Sequence, residues 1–80
     1  MDKFNHDIGS RIKEKRLELK LTREKLAYIA GISSKFLYDV EVGNKGVSAK
    51  TLCKVAIALN VSMDWLAIDW LTTDIKVYEN

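Results

Sequence analysis

Residues 21–43 constrain the fold of this chain most, because their signals predict two short helices joined by a tight turn. Thr22 is a good N-cap, since its hydroxyl can accept a hydrogen bond from the free N–H groups of a first helical turn. Gly31 can end that helix, because glycine adopts a positive φ without a Cβ clash. Between them the spacing predicts one apolar helical face formed by Leu26, Ile29 and Ala30.

The second short helix begins after the turn, where Ser33 can act as its N-cap. Helical spacing predicts buried positions at Leu37 and Val40, with Phe36 at the margin. The side chains expected to project outward are Ser34, Lys35, Tyr38 and Asp39. Two helices joined in this way form a helix-turn-helix, a unit that places one helix in the major groove of DNA.

A longer helix is expected before this unit, from about Ile8 to Leu19, and it should direct Ile8, Ile12 and Leu19 inward. After the unit, residues 42–47 contain two glycines and form a loop. The whole chain is expected to be one all-α domain over residues 1–80, with a core at 7–71 and a short tail at 72–80.

Two further helices complete the predicted five. Ser48 caps the fourth helix, and Asn60 closes it in the left-handed conformation that asparagine tolerates. Ser62 caps the fifth helix, which should run from Met63 to about Leu71. The apolar face of the fourth helix consists of Leu52, Val55, Ala56 and Leu59.

A set of residues outside the turn extends the same pattern along most of the chain. These residues are Ile8–Lys13, Arg16, Leu21, Thr22, Leu26, Ala27, Ala30–Ser33, Leu37, Val40, Glu41, Gly43, Thr51, Leu52 and Ala56–Val61. In order and spacing they resemble the lambda-repressor-like (Cro/C1, or XRE) helix-turn-helix domain. The resemblance covers roughly residues 7–66, and it implies the fold and DNA-binding activity of that family.

The resemblance also implies which side chains meet the bases. Lys35 can donate to the O6/N7 edge of guanine, and Tyr38 can contact a thymine methyl group or a phosphate. Asp39 can accept from cytosine N4, but a carboxylate is repelled by the phosphates of the groove, so the alternative is a pair with Lys35 four residues earlier. The implied base-contacting residues are Ser33, Ser34, Lys35, Tyr38 and Asp39.

Phosphate contacts are expected around that helix, where free N–H groups at the start of the preceding helix attract an anion. The implied residues are Thr22, Arg23, Tyr28, Asn44 and Lys45. The family also often pairs an arginine in the first helix with a glutamate at the end of the recognition helix, which implies a structural ion pair between Arg16 and Glu41. Lys20 stands where glycine is common in the family, so it must either accept a positive φ or end the first helix differently.

Charge and composition agree with a nucleic-acid partner without requiring one. The net charge is only +2, but residues 1–47 contain ten Lys/Arg against seven Asp/Glu. A polyanion would be attracted to such a surface, although a solvated helix face with Glu–Lys pairs gives the same pattern. Cys53 is alone and is expected to be a small core residue, and His6 is the only histidine. We therefore expect no catalytic or metal site, no cofactor and no membrane span, with the cytoplasm as the location.

The C-terminal end carries more large apolar residues than a small core is expected to bury. Such a patch is typical of a partner surface, and tryptophan is a favoured interface anchor. We expect a homodimer interface here, and the alternative is that the tryptophans complete the core. The residues assigned to the dimer interface are Trp65, Ile68, Trp70 and Leu71.

The expected function is therefore a sequence-specific transcriptional regulator, specifically a repressor that binds a palindromic operator as a homodimer. The alternative is a protein-interaction module or an antitoxin on the same scaffold, with weakened DNA binding and a protein partner at the C-terminal end. Salt dependence separates the two, because DNA binding releases counterions and an apolar protein interface does not.

Overall fold

The computed structural model describes residues 3–67, and these residues form five helices and no strands, as predicted. The helices are α1 (Lys3–Glu18), α2 (Arg23–Ala30), α3 (Ser34–Glu41), α4 (Ala49–Leu59) and α5 (Met63–Leu66). The first helix begins five residues earlier than the expected Ile8 and ends one residue before Leu19. The expected end of the fifth helix at Leu71 lies outside the described residues.

Four of these helices begin with the predicted side-chain caps. In each case a hydroxyl oxygen accepts a hydrogen bond from the N–H group three residues later, which satisfies one of the donors that a helix start leaves unpaired. The pairs are Thr22 with Lys25, Ser33 with Phe36, Ser48 with Thr51, and Ser62 with Trp65, at 3.0–3.1 Å. These positions are determined by local sequence, and all four predictions are confirmed.

Four helices are followed by a residue in the left-handed region. Gly31 has φ 71° and Asn60 has φ 58°, as predicted, Gly43 has φ 83°, and Lys20 accepts φ 60° although it has a Cβ atom. The residue after each one donates its N–H to a carbonyl five residues earlier, at 2.8–3.0 Å in all four cases. This hydrogen bond is typical of the Schellman motif, so α1, α2, α3 and α4 terminate by the same geometry.

The helices pack around one apolar core. Its members are Ile8, Ile12, Leu26, Ala27, Ala30, Leu37, Val40, Val55, Ala56, Leu59 and Leu66. Gly9 brings α1 close to the end of α3, since a Cβ atom there would collide with the carbonyl oxygen of Val40. This close approach sets the position of α3, the helix expected to face DNA.

Three predictions of burial are wrong. Leu19 is exposed because α1 ends at Glu18, so the residue lies beyond the periodic face. Ile29 is 49% exposed, and it lies about 110° around α2 from the centre of the face that Leu26, Ala27 and Ala30 form. Cys53 is also exposed, because it lies about 110° from the buried face of α4.

Neither a membrane-crossing helix nor a metal-binding cluster occurs among residues 3–67. No helix in this part of the chain combines the length and the apolar character that a membrane span needs. In the same part, no three residues among His, Cys, Asp and Glu are grouped closely enough to hold a metal ion.

Candidate nucleic-acid interface

Helix α3 packs on α1 and α2 with one face and presents the other to solvent. Leu37 and Val40 are buried on the inner face, as predicted, and Phe36 is half-buried. On the outer face, Lys35 and Tyr38 are exposed. Beside them, the N-cap Ser33 is exposed and Ser34 is half-buried. The outer edge of α3 therefore carries one lysine ammonium group, one phenol ring and two serine hydroxyl groups.

Asp39 does not project outward as expected, because its carboxylate is bound by two lysines. Lys35 Nζ donates to both carboxylate oxygens, at 3.0 and 2.9 Å, and Lys45 Nζ lies 3.7 Å from Oδ2. The Asp39 side chain is only 8% exposed, whereas that of Lys35 is 79% exposed. The hydrogen bond from Lys35 lowers the pKa of the Asp39 carboxyl below its ordinary value of 3.8, against the opposing effect of burial, and the charges of both lysines add to the lowering.

The main chain of Asp39 also holds the loop that follows α3. Its carbonyl oxygen accepts hydrogen bonds from the N–H groups of Asn44, at 2.8 Å, and Lys45, at 3.2 Å. Both of these residues are exposed and were expected to contact phosphates. The structure therefore brings Asn44 and Lys45 to the C-terminal part of α3, and the Lys45 ammonium group lies near the carboxylate that Lys35 also binds.

Beneath this surface, Arg16 and Glu41 form the ion pair that the resemblance implied. Arg16 donates from Nε and Nη2 to the two carboxylate oxygens, at 2.7 and 3.1 Å, and from Nη1 to the carbonyl of Leu21 at 2.9 Å. The Glu41 side chain has no exposed area, and that of Arg16 is 7% exposed. The pair ties α1 to the end of α3 and to the turn that precedes α2.

A second arginine continues this network to the surface. Arg23 Nε donates to Glu41 Oε1 at 3.2 Å, and the Arg23 guanidinium lies over the Tyr38 ring at 5.1 Å from its centroid. Sequence reasoning assigned Arg23 to phosphate contact and missed both interactions. The residues are separated by 18 positions along the chain, so no local pattern indicates the contact. The network fixes the position of the start of α2 relative to the outer edge of α3.

The two remaining residues assigned to phosphate contact lie at opposite ends of α2. Thr22 uses its hydroxyl to cap the helix, and Arg23 and Glu24 follow it in the first turn, where N–H groups lack helical partners. Tyr28 is exposed near the other end, with Lys25 Nζ 5.9 Å from its ring centroid. Tyr28 lies six positions after Thr22, which corresponds to about 9 Å along the helix axis.

Trp65 is the one residue of the expected dimer interface that the structure describes. Its side chain is half-buried, and the Arg11 guanidinium stacks on the indole at 4.4 Å from the ring centroid. Arg11 Nε also donates to the carbonyl oxygen of Trp65 at 2.9 Å. This contact joins α1 to α5 across 54 positions of sequence and was not predicted. The other assigned residues, Ile68, Trp70 and Leu71, lie outside the described residues.

Comparisons with known proteins give consistent matches. A family model described as helix-turn-helix matches residues 12–66. The ImmF control region 10 kDa protein of Bacillus phage phi105 is 36% identical over 72 residues, which are 90% of this chain and 76% of that protein. The restriction-modification controller protein C.AhdI of Aeromonas hydrophila is 31% identical with a TM-score of 0.75, covering 78% of this chain and 94% of its own. The biofilm master regulator SinR, solved in complex with DNA, is 35% identical with a TM-score of 0.71. The match covers 74% of this chain and 95% of the SinR chain.

Proposed function

Because this chain belongs to the Cro/C1-type (XRE) helix-turn-helix family of transcriptional regulators, we propose that it is a repressor that binds a palindromic operator as a homodimer. The observation that carries this proposal is the outer edge of α3, where exposed Lys35 and Tyr38 lie between two sources of positive charge, Arg23 and Lys45. A helix with such an edge fits the major groove, which is about 12 Å wide.

In this proposal the outer edge of α3 reads the bases. Lys35 donates to the O6/N7 edge of guanine, and Ser33 or Ser34 pairs with a neighbouring base edge. Tyr38 contacts a thymine methyl group, and Arg23 packed over its ring limits the positions that the ring can take. Asp39 has no such role, since its carboxylate already accepts hydrogen bonds from Lys35.

The backbone contacts come from the two ends of the helix-turn-helix. A phosphate at the start of α2 is bound by free N–H groups, by the helix dipole and by the Arg23 nitrogens that do not contact Glu41. At the other end of the helix-turn-helix, Asn44 and Lys45 contact phosphates of the second DNA strand. They do so from the loop that the carbonyl oxygen of Asp39 holds. Tyr28 adds its phenol hydroxyl. These contacts position the domain on the duplex, and they carry no sequence information.

A homodimer would place two copies of α3 on successive turns of the major groove, about 34–36 Å apart. We propose that the interface forms at α5 and the residues after it, with Trp65, Ile68, Trp70 and Leu71 as anchors. The Arg11 stack covers part of the indole of Trp65 and orients it relative to α1. Sedimentation equilibrium over a hundredfold range of protein concentration tests this part, and a constant monomer mass contradicts it.

The experiment that tests DNA recognition is selection of bound duplexes from a random pool, followed by fluorescence anisotropy of the selected duplex and a scrambled one. We expect a palindromic sequence that binds at least about a thousandfold more tightly than the scrambled duplex. A promoter fusion carrying this sequence should lose expression when the protein is present. Absence of enrichment contradicts the proposal, and activation of the promoter contradicts the repressor role.

The matched variants are Lys35→Ala and Lys54→Ala, which remove the same charge from different surfaces. Lys35→Ala should lose about 1–3 kcal/mol of discrimination at one base position, because a base contact is removed. Lys54 is exposed on α4, which packs on α1, α2 and α5. Lys54→Ala should therefore leave discrimination unchanged. Equal discrimination by wild type and Lys35→Ala contradicts the assignment of Lys35 to the bases.

A further inference from the structure

A single carboxylate binds two lysines on the surface that we assign to DNA. Asp39 accepts from Lys35 at 2.9 and 3.0 Å and has Lys45 at 3.7 Å, and we call these three residues the Asp39 cluster. Lys35 and Lys45 reach the carboxylate from different elements, α3 and the loop that follows it. Their side chains are 79% and 59% exposed, so solvent and ligands reach both ammonium groups.

This arrangement affects the two modes of DNA binding differently. Binding to non-specific DNA depends on cations that neutralise phosphates and release counterions. A lysine that contacts a phosphate at the groove wall must move its ammonium group away from Asp39, and the carboxylate repels the same phosphate. The Asp39 carboxylate therefore opposes the use of Lys35 in non-specific binding, because it holds that ammonium group at 2.9 and 3.0 Å. Lys45 lies farther away, at 3.7 Å, and keeps its phosphate contact in both modes.

Reading a base edge does not require that separation. An ammonium group has three N–H donors, and Lys35 gives hydrogen bonds only to Asp39 among the described residues. A donor remains for the guanine acceptor while the carboxylate limits the conformations of a long, flexible side chain. Less side-chain freedom is then lost when the base contact forms.

We propose that Asp39 is a specificity-determining positioning residue, which withholds Lys35 from non-specific phosphate contact and orients it toward the bases. This inference rests on the proposed DNA-binding function and deepens it. In this proposal the Asp39 carboxylate raises the ratio of specific to non-specific DNA affinity, and Asp39 itself contacts no base.

The test compares Asp39→Asn with Glu14→Gln, two acid-to-amide changes that each raise the net charge by one. Glu14 is exposed on α1 and lies two residues from the buried Ile12 and Arg16, so it points away from the face of α1 that packs on α3. Both variants are measured by anisotropy on the selected duplex and on a scrambled duplex over a range of salt, after circular dichroism shows that they are folded.

For Asp39→Asn we expect the scrambled duplex to bind about three- to tenfold more tightly near 0.1 M salt, because Lys35 becomes available to phosphates. The slope of log K against log salt on that duplex should become steeper by about 0.9, which corresponds to one additional neutralised phosphate. The ratio of specific to non-specific affinity should fall about three- to tenfold. Glu14→Gln should leave this ratio unchanged.

The inference is overturned if Asp39→Asn keeps the wild-type ratio and salt slope, or if Glu14→Gln changes them equally. If Asp39→Asn does not fold, Lys35→Gln provides the test on scrambled DNA. Its salt slope should stay close to that of wild type, and a decrease of about 0.9 contradicts the inference. Failure of wild-type protein to bind any selected duplex is a different result, which refutes the proposed function itself.

Discussion

Arg16→Ala should destabilise the protein severely, because it leaves a carboxylate buried with most of its partners removed. Arg16 gives two hydrogen bonds to Glu41 and a third to the carbonyl of Leu21. The Glu41 side chain is 0% exposed, so water cannot replace the missing donors without movement of α1 or α3. Arg23 Nε, at 3.2 Å, would be the only remaining side-chain donor to Glu41 among the described residues.

Removing one partner of a buried ion pair typically costs about 3–5 kcal/mol. The whole free energy of unfolding of a small domain is about 5–15 kcal/mol, so this loss is a large fraction of it. For a domain of this size each kcal/mol lowers the melting temperature by about 4–8 °C. We therefore expect Arg16→Ala to melt about 12–40 °C below the wild type, measured by circular dichroism and by urea unfolding.

Two further variants distinguish the cost in stability of leaving a buried charge unpaired from the cost of losing one side chain. Arg23→Ala removes a single contact from a partly exposed arginine and leaves both Arg16 bonds to Glu41, so it should cost at most about 1 kcal/mol. The double variant Arg16→Met, Glu41→Leu replaces the whole pair by apolar groups and should recover most of the lost stability. An Arg16→Ala protein that melts within about 2 °C of wild type refutes the reasoning.

Three other predictions concern the backbone and the Asp39 carboxylate. Gly9→Ala should cost about 1–3 kcal/mol in urea unfolding, because its Cβ would collide with the carbonyl oxygen of Val40, and an unchanged midpoint contradicts the close approach of α1 and α3. Lys20→Gly should stabilise the protein by about 0.5–1 kcal/mol in calorimetry, since a non-glycine residue at φ 60° is strained while glycine loses more backbone entropy. The lowered pKa of Asp39 contributes stability that is present above its ordinary value near 3.8 and is lost as the pH falls through the lower folded-state value. Asp39→Asn should remove this part of the acid dependence between pH 2 and 5, and identical pH profiles for the two proteins contradict it.

Part of the candidate site could be predicted because its interactions are local or follow a known pattern. Lys35 and Asp39 are four residues apart on one helix, so their pairing was an explicit alternative to a base contact for Asp39. The Arg16–Glu41 pair followed from the resemblance, which supplied the long-range relation that the sequence lacks. No comparable signal indicated that Arg23 binds Glu41 or that Arg11 stacks on Trp65.

The sequence by itself determined where most of the helices begin and end. A cap such as Thr22 or Ser48 acts on an N–H group three residues away, and a terminator such as Gly31 acts through its own φ, so neighbouring residues contain all the information needed. The start of α1 at Lys3 was missed although Asp2, a residue type favoured at helix N-caps, directly precedes it in the sequence.

The tertiary structure alone decided which side of each helix is buried. Ile29 and Cys53 lie on apolar stretches that allow more than one inward face, and packing against neighbouring helices selected faces that exclude both. Asp39 is buried, and a lysine from the following loop approaches its carboxylate together with Lys35. Helix orientation depends on contacts among residues distant in sequence. The hydrophobic effect favours burial but has no preferred direction, so a short segment cannot determine which of its faces turns inward.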